Sequence, residues 1–512
     1  MLDKRAYVYL AVAQPTLAWR TRAVVCALSH LAGSRSVKIP RQRDAGASSE
    51  SPTRPKVPGA APGCRHLDQP LAFLERCRDR YGHRFTIRLP ASPPFVMITR
   101  PEEIKEIFTA PADVLAPGRG ARVLEPIVGS TSVILLDGGA HMEQRRLMLP
   151  AFHGERMERL AGLVAAVAER DIASWPAERP LELHSPLQRL TLEIILRAVF
   201  GLEPGPRLDA LRDRLGAMLA FGDRAISLMP PPVNSRLASL LRRVGPFASF
   251  WRLRQNADRL VYELISERRR EQREHPDRHE RRDDVLAMLL EARHEDGSTL
   301  SPDELRDELM TLLVAGQETT ASSLAWALQC LGRDPRALRA LRFELRSSDE
   351  DEAYLLAVIQ ETLRHRPVLP NVAPRLLLAP FEVGGVMYPP GACLVANAYL
   401  LHHDETVYAE PYAFLPERWL DEERKVRTPG TYTWIPFGGG RRRCLGASFA
   451  VQEMKIVLRA VLERYELDAA GRPPEQTRRR SITFSPGDGA TVVLRDRRAQ
   501  PERVAERAAV AA

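Results

Sequence analysis

The chain has 512 residues, too many for one small domain and enough for two lobes or one large helix-rich domain. Hydrophobic residues make up 44% and charged residues 27%, the balance of a folded globular protein, which excludes a fibrous or wholly disordered chain. The formal charge of +9 comes from 74 basic against 65 acidic residues. Much of the excess sits in mixed-charge stretches such as ERRREQREHPDRHERRDD (267–284), so no nucleic-acid partner is expected.

In chain order, the first apolar runs are 7–13 and 24–33, broken by Pro15, Arg20 and Arg22. Neither reaches the roughly 20 residues a bilayer span needs, so no membrane anchor is expected and a cytoplasmic protein is. The stretch 46–63, GASSESPTRPKVPGAAPG, reads as a linker, which makes residues 1–66 a disordered extension before an ordered domain over 67–496. Proline and glycine punctuation predicts a helix ending at Gly82, strands over 84–89 and 94–99, and a helix opened by Pro101. From about 140 to 345 apolar residues recur at helical spacing. After 370 strand candidates lie in RLLLAPFEVGGVMY and ACLVANAYL, then a last helix follows Gly446 and a frayed tail covers 497–512. The expected fold is mainly α with small β-sheets, an α+β arrangement. The six cysteines (Cys26, Cys64, Cys77, Cys330, Cys393, Cys444) show no CxxC or CxxH spacing, which argues against zinc and for a reducing compartment. Cys330, inside SSLAWALQCL, reads as core packing.

Four stretches carry chemistry. The helix over 302–331 is opened by Ser301, Pro302 and Glu304, a capping box, and is apolar nearly all round. Its middle, AGQETT, interrupts that surface with Gly316, Glu318 and Thr319. The glycine clears space beside the backbone, and the acid and alcohol flank it. Back-bonding of Thr319 and Thr320 to carbonyls one turn earlier is the structural alternative, and both readings stand at this point. In ETLR, Glu361 and Arg364 share a helical face, and FLPERW supplies Arg418. In HMEQR, His141 and Arg145 stand four apart, either a surface pair or a clamp for an anion. Finally FGGGRRRCLG (437–446) sets one sulfur among three glycines and three arginines, either a solvated turn or a loop that offers a thiolate to a metal.

Together, AGQETT, ETLR, FLPERW and FGGGRRRCLG resemble the signature set of the cytochrome P450 family, the haem-thiolate monooxygenases, over about residues 67 to 495. The last motif agrees at each fixed position: Phe437, Gly440, Arg442, Cys444 and Gly446. The resemblance implies haem b held between a long distal helix and a proximal cysteine loop. It makes Cys444 the iron ligand and Phe437 its neighbour. His141, Arg145, Arg375 and Arg442 become propionate partners, with Ala315 and Gly316 beside the macrocycle. Glu318 and Thr319 become the pair that steers protons, through water, to dioxygen. Glu361, Arg364 and Arg418 become a structural triad. Arg441 and Arg443 are either proximal docking residues or simply solvated.

The implied reaction inserts one atom of dioxygen into a small apolar substrate of lipid, steroid, terpenoid or polyketide class. Electrons are expected from NAD(P)H through a reductase and a separate ferredoxin or flavodoxin-type donor. Specificity is implied for the loop near 115–135, the helices around 215–260, Leu312 and Ala315, Val368 to Ala373, and Ile482 to Phe484. The alternative is a non-catalytic haem-binding or gas-sensing protein, which has no need of the acid–alcohol pair.

Overall fold

Pro70 opens the first described helix and Gly82, at φ +81°, closes it, giving α1 (Pro70–Tyr81). The computed structural model describes residues 69–88, 92–152, 154–222, 245–347, 352–468, 473–480 and 482–497. The N-terminal extension, the tail beyond 497 and the segment with Pro230, Pro231 and Pro232 lie outside them. Next come β1 (Arg84–Ile87), β2 (Phe95–Ile98), α2 (Pro101–Thr109) and β3 (Leu115–Ala116). A helical half follows: α3 (Gly138–Met148), α4 (Glu155–Ile172), the short strand β4 (Pro180–Glu182), α5 (His184–Phe200), α6 (Pro206–Gly222), α7 (Gly245–Glu274) and α8 (Val285–Glu291). The long α9 (Pro302–Arg333) then leads to α10 (Pro335–Arg346) and α11 (Ala353–His365).

The rest alternates strands with turns: β5 (Arg375–Leu377), β6 (Phe381–Val383), β7 (Val386–Tyr388), β8 (Cys393–Ala396) and α12 (Ala398–His402). After the cysteine loop come α13 (Ala447–Arg464), β9 (Tyr465–Asp468), β10 (Thr477–Arg480), β11 (Thr483–Pro486) and β12 (Thr491–Asp496). ACLVANAYL reads as one strand in the sequence, but the strand stops at Ala396. The Asn397 side chain there accepts from the Leu400 amide at 2.7 Å and starts α12 instead.

The β portions near the two ends of the domain join. A five-stranded sheet runs β1-β2-β8-β5-β3, with β2 and β8 parallel (Phe95 opposite Cys393) and the other pairs antiparallel. A second sheet, β4-β12-β9, is antiparallel throughout. The main core lies among α4, α5, α9, α11 and α13, and a smaller one lies beneath the five-stranded sheet. At the head of α9 the Ser301 hydroxyl accepts from the Glu304 amide at 3.2 Å and the Glu304 carboxylate accepts from the Ser301 amide at 2.7 Å. From there the helix runs buried through the molecule.

Candidate active site

The cysteine loop turns on glycines for a steric reason. Gly438 (φ +67°) and Gly440 (φ +64°) take conformations that L side chains rarely adopt. A Cβ on Gly440 would lie 2.3 Å from the Phe108 carbonyl oxygen, so the loop backs directly onto the end of α2. The Cys444 amide donates to the Phe437 carbonyl at 2.9 Å and closes the loop. Cys444 is exposed although protein atoms crowd its thiol. Burial pushes its pKa up; the Gly446 amide, Arg145 and Arg443 pull the other way. Arg441 and Arg443 are exposed, and Arg443 borders a groove of about 970 Å³ between α4 and α13.

Beside the loop, His141, Arg145, Arg375 and Arg442 stand close enough to perturb one another. Burial, then Arg442 and Arg145, drives the His141 imidazole down to about 3. Arg375 is only 3% exposed, and among the described residues no carboxylate meets it. Its guanidinium lies 4.6 Å from the Phe108 ring centroid and donates only to the Ala373 carbonyl, at 3.4 Å. Burial, then Arg442, lowers it to about 10. His141, Arg375, Arg441 and Arg442 line a small cavity of about 50 Å³. A cation buried without a counter-charge, as Arg375 is, calls for an anion from outside the chain.

Arg442 has partners of its own. It donates to the carbonyls of Val133 (3.1 Å), Ile134 and Leu136 and to the Asp137 carboxylate at 2.8 Å. The same strap, residues 131–137, is bound to α9. Asp307 accepts from the Thr131 amide (2.9 Å) and hydroxyl (2.7 Å), Glu308 accepts from the Val133 amide (2.7 Å), and Thr311 meets Ser132 (2.6 Å). The strap therefore links the cysteine loop to the long helix. The sequence signal was available in Asp307 and Glu308, two acids on an apolar helix, and the sequence reading passed over them.

In the middle of α9 the burial relaxes. Ala315 is exposed, and Leu312, Val314, Gly316, Glu318 and Thr319 are half-buried, on a helix otherwise enclosed from Leu305 to Leu331. The Thr319 hydroxyl donates to the Ala315 carbonyl at 2.6 Å, the back-bond that the sequence left open. The space beside Gly316 is not left free for a ligand: a Cβ there would lie 2.7 Å from Ile195 Cδ1, so the glycine serves the packing of α5 on α9. Glu318 also turns to α5. It accepts from the Gln188 side chain and from the Ser322 hydroxyl at 3.0 Å, and its Oε1 lies 3.2 Å from His184 Nε2. The acid and the alcohol are thus neighbours in sequence that face different ways.

Glu361, Arg364 and Arg418 do meet. Arg364 donates to both Glu361 oxygens (2.8 and 2.9 Å) and Arg418 to one (3.2 Å), with Glu361 and Arg364 fully buried. Trp419 completes the carboxylate's shell at 3.0 Å. His402, which the sequence reading did not single out, carries this cluster to the cysteine loop. Its Nε2 accepts from the Ile435 amide at 3.0 Å, so Nδ1 bears the hydrogen and donates to the Arg364 carbonyl at 3.2 Å. Among the described residues no group of three or more His, Cys, Asp or Glu could hold a bare metal ion, and no helix is long and apolar enough to cross a membrane.

A helical domain with small sheets, centred on a long helix and a glycine-rich cysteine loop, is the architecture of the haem-thiolate oxygenases. The chain belongs to the cytochrome P450 family, whose family model, Cytochrome P450, matches residues 51–491. A Mycobacterium tuberculosis relative, named as cytochrome P450 135B1, is 37% identical over 450 residues, covering 87% of this chain and 91% of the relative. Another from that organism, named as cytochrome P450 138, is 34% identical, covering 86% of this chain and 97% of its own. The solved structure of retinoic acid-bound cyanobacterial CYP120A1 shares the fold, with TM-score 0.71 at 21% identity over 84% of this chain and 96% of that one. The protein is accordingly an oxidoreductase, a P450 monooxygenase with haem as its cofactor.

Proposed function

We propose that this P450 domain, residues 67–496, inserts one atom of dioxygen into a small apolar organic substrate of lipid, steroid, terpenoid or polyketide class. The other oxygen atom leaves as water, a balance that takes two electrons and two protons per turnover. Bound haem supplies the activation of dioxygen and the transfer of its oxygen atom. Cys444 is the residue to ligate the iron: it is a reachable thiol beside the Gly446 amide and two arginines, donors that favour the thiolate form. His141, Arg145, Arg375 and Arg442 would hold the two carboxylates of the macrocycle, and Phe437 and Gly440 shape the loop beneath it. The buried, anion-free Arg375 is the observation that carries this assignment.

On the other side, Ala315 rather than Gly316 would be the small residue that leaves room for the macrocycle, since Ile195 fills the side of Gly316. Thr319, one turn further along the same stripe, would orient water with its hydroxyl, and Glu318, turned to α5, would supply and recover protons from the seam next to it. Leu312, Val368 and Phe484 give the substrate side an apolar wall. Electrons come from NAD(P)H by way of a reductase and a ferredoxin or flavodoxin-type protein, whose acidic surface would dock where Arg441 and Arg443 are exposed.

The test is the absorption difference spectrum of the dithionite-reduced protein with and without carbon monoxide. A strongly red-shifted Soret band that disappears in Cys444→Ala is the expected result. A band at the position of histidine ligation, or one that survives the substitution, would sink the assignment.

A further inference from the structure

A carboxylate inside a helix bundle is costly unless its oxygens are satisfied, so what surrounds Glu318 decides what it can do. Two of its partners, His184 and Gln188, are on α5, which lies along α9 for much of its length. His184, the first residue of α5, is 1% exposed, and its backbone amide is fixed by the Gly489 carbonyl at 2.9 Å. The ring reaches α9 through Nε2, 3.2 Å from Glu318 Oε1 and 3.1 Å from Ser322 Oγ. Nδ1 is buried with no hydrogen-bond partner among the described residues. A hydrogen there would be an orphaned buried donor, so the tautomer carrying it on Nε2 fits, with that hydrogen shared between Ser322 Oγ and the carboxylate oxygen beside it.

The Gln188 amide takes the second oxygen, Oε2, and the Ser322 hydroxyl donates to Oε1 at 3.0 Å. The same line of contact is stitched further along: the Thr191 hydroxyl donates to the Gln317 carbonyl at 3.1 Å and the Gln317 amide to the Gln188 carbonyl at 3.3 Å. Three donors therefore converge on one acid. Burial pushes the Glu318 carboxyl up, but the bonds from His184, Gln188 and Ser322 outweigh it and hold the group below the ordinary range. A fifth of the side chain, 19%, is still accessible, so the acid is not sealed into the seam between α5 and α9.

We propose that His184 is a positioning residue for the proton-delivering acid: with Gln188 and Ser322 it holds the Glu318 carboxylate ionised and turned into the α5–α9 seam, one residue from Thr319. This rests on the reading of Glu318 as a proton donor for dioxygen activation. It makes the resting acid a proton acceptor that is kept away from the cavity between turnovers, with His184 setting how readily it takes a proton up.

Infrared difference spectra of the holoenzyme, recorded in H2O and D2O with carbon-13-labelled glutamate, test the idea without turnover. The readout is the carbonyl stretch of protonated Glu318, identified by its loss in Glu318→Gln. In His184→Ala the titration midpoint of that band is expected to move up by about one pH unit or more. His184→Gln, whose amide can donate in place of Nε2–H, returns it towards the wild type, a rescue that a merely space-filling role would not show. If His184→Ala does not fold, Ser322→Ala removes another donor and is expected to move the midpoint the same way. An unmoved midpoint in whichever of the two folds overturns the proposal, as does a shift in His184→Gln as large as in the alanine variant. The wild-type carbon monoxide spectrum separates the two levels. A moved midpoint in a protein without the thiolate band leaves the acid held as described but with no dioxygen to serve, and the proposal falls with the functional reading.

Discussion

At the scale of single residues, this chain carries charged groups in places where their own protein does not satisfy them. Arg375 is the sharpest case, a buried guanidinium resting on the Phe108 ring with one long bond to a carbonyl. An unpaired buried cation costs several kcal/mol, so replacing it with an apolar side chain of similar length should relieve the chain that lacks its cofactor. Arg375→Met is therefore expected to stabilise the cofactor-free protein by about 1–3 kcal/mol in urea unfolding. The same variant should release haem faster to a scavenger such as apomyoglobin. The opposite signs are the point: a residue kept for packing would lower both stabilities. Glu308 makes a similar argument from the acid side. Burial raises it to about 8, and its Oε2 has no hydrogen-bond partner among the described residues. In Cys444 the sequence exposed the chemistry through a pattern, whereas the isolation of Arg375 depends on what folds around it and leaves no local trace.

At the scale of elements, α9 shows what a sequence can and cannot reveal. Its start was legible because Ser301, Pro302 and Glu304 act within four residues of one another. Its burial was legible from an apolar circumference, and the Glu361–Arg364 pair from a spacing of three. The contents of the gap at Gly316 were not, because Ile195 comes from another helix far back in the chain, and neither was the turn of Glu318 towards His184. Spacing along one helix fixes which residues share a face but not which neighbour that face meets. The Gly316–Ile195 contact can be tested directly. Gly316→Ala gains about 1 kcal/mol of helix propensity, but its methyl meets Ile195 Cδ1 at 2.7 Å, and overpacking costs about 1–3 kcal/mol. The single variant is expected to be less stable by about 1 kcal/mol, and Ile195→Val, which removes the clashing methyl, to restore the loss in the double variant. Additive effects in denaturant unfolding would place the contact elsewhere.

Across the whole molecule, the two β regions that read as separate in the sequence form one sheet. The parallel pairing of β2 with β8 joins segments separated by the entire helical half, and no local pattern encodes that partnership. The same long-range assembly encloses a set of histidines that cannot become charged without cost. His402 is fully buried and bound on both nitrogens; burial, then Arg364, lowers it from 6.5 to about 3, and His365 and His403 are pushed well down by burial as well. The sign follows from proton counting. Above 6.5 the imidazole is neutral in both folded and unfolded chains, so the contribution is complete. As pH falls from 6.5 towards 3, the unfolded chain takes up the proton and the folded one does not, so stability is lost, up to about 5 kcal/mol for His402 alone. Glu318 and Glu352, held below the ordinary carboxyl range, lose stability at the lower end of the same window, so the wild-type curve mixes several groups. His402→Gln isolates one of them. An amide can still accept from Ile435 and donate to Arg364 but does not titrate. Denaturant unfolding over a pH series should therefore find this variant about 1–3 kcal/mol less stable than the wild type at pH 7, with the two curves meeting between about pH 6 and pH 4 and crossing below that, where the wild type alone carries the His402 loss. Parallel curves would mean that the folded protein admits a proton at His402, and with it a looser link between the Glu361–Arg364 cluster and the cysteine loop than the geometry describes.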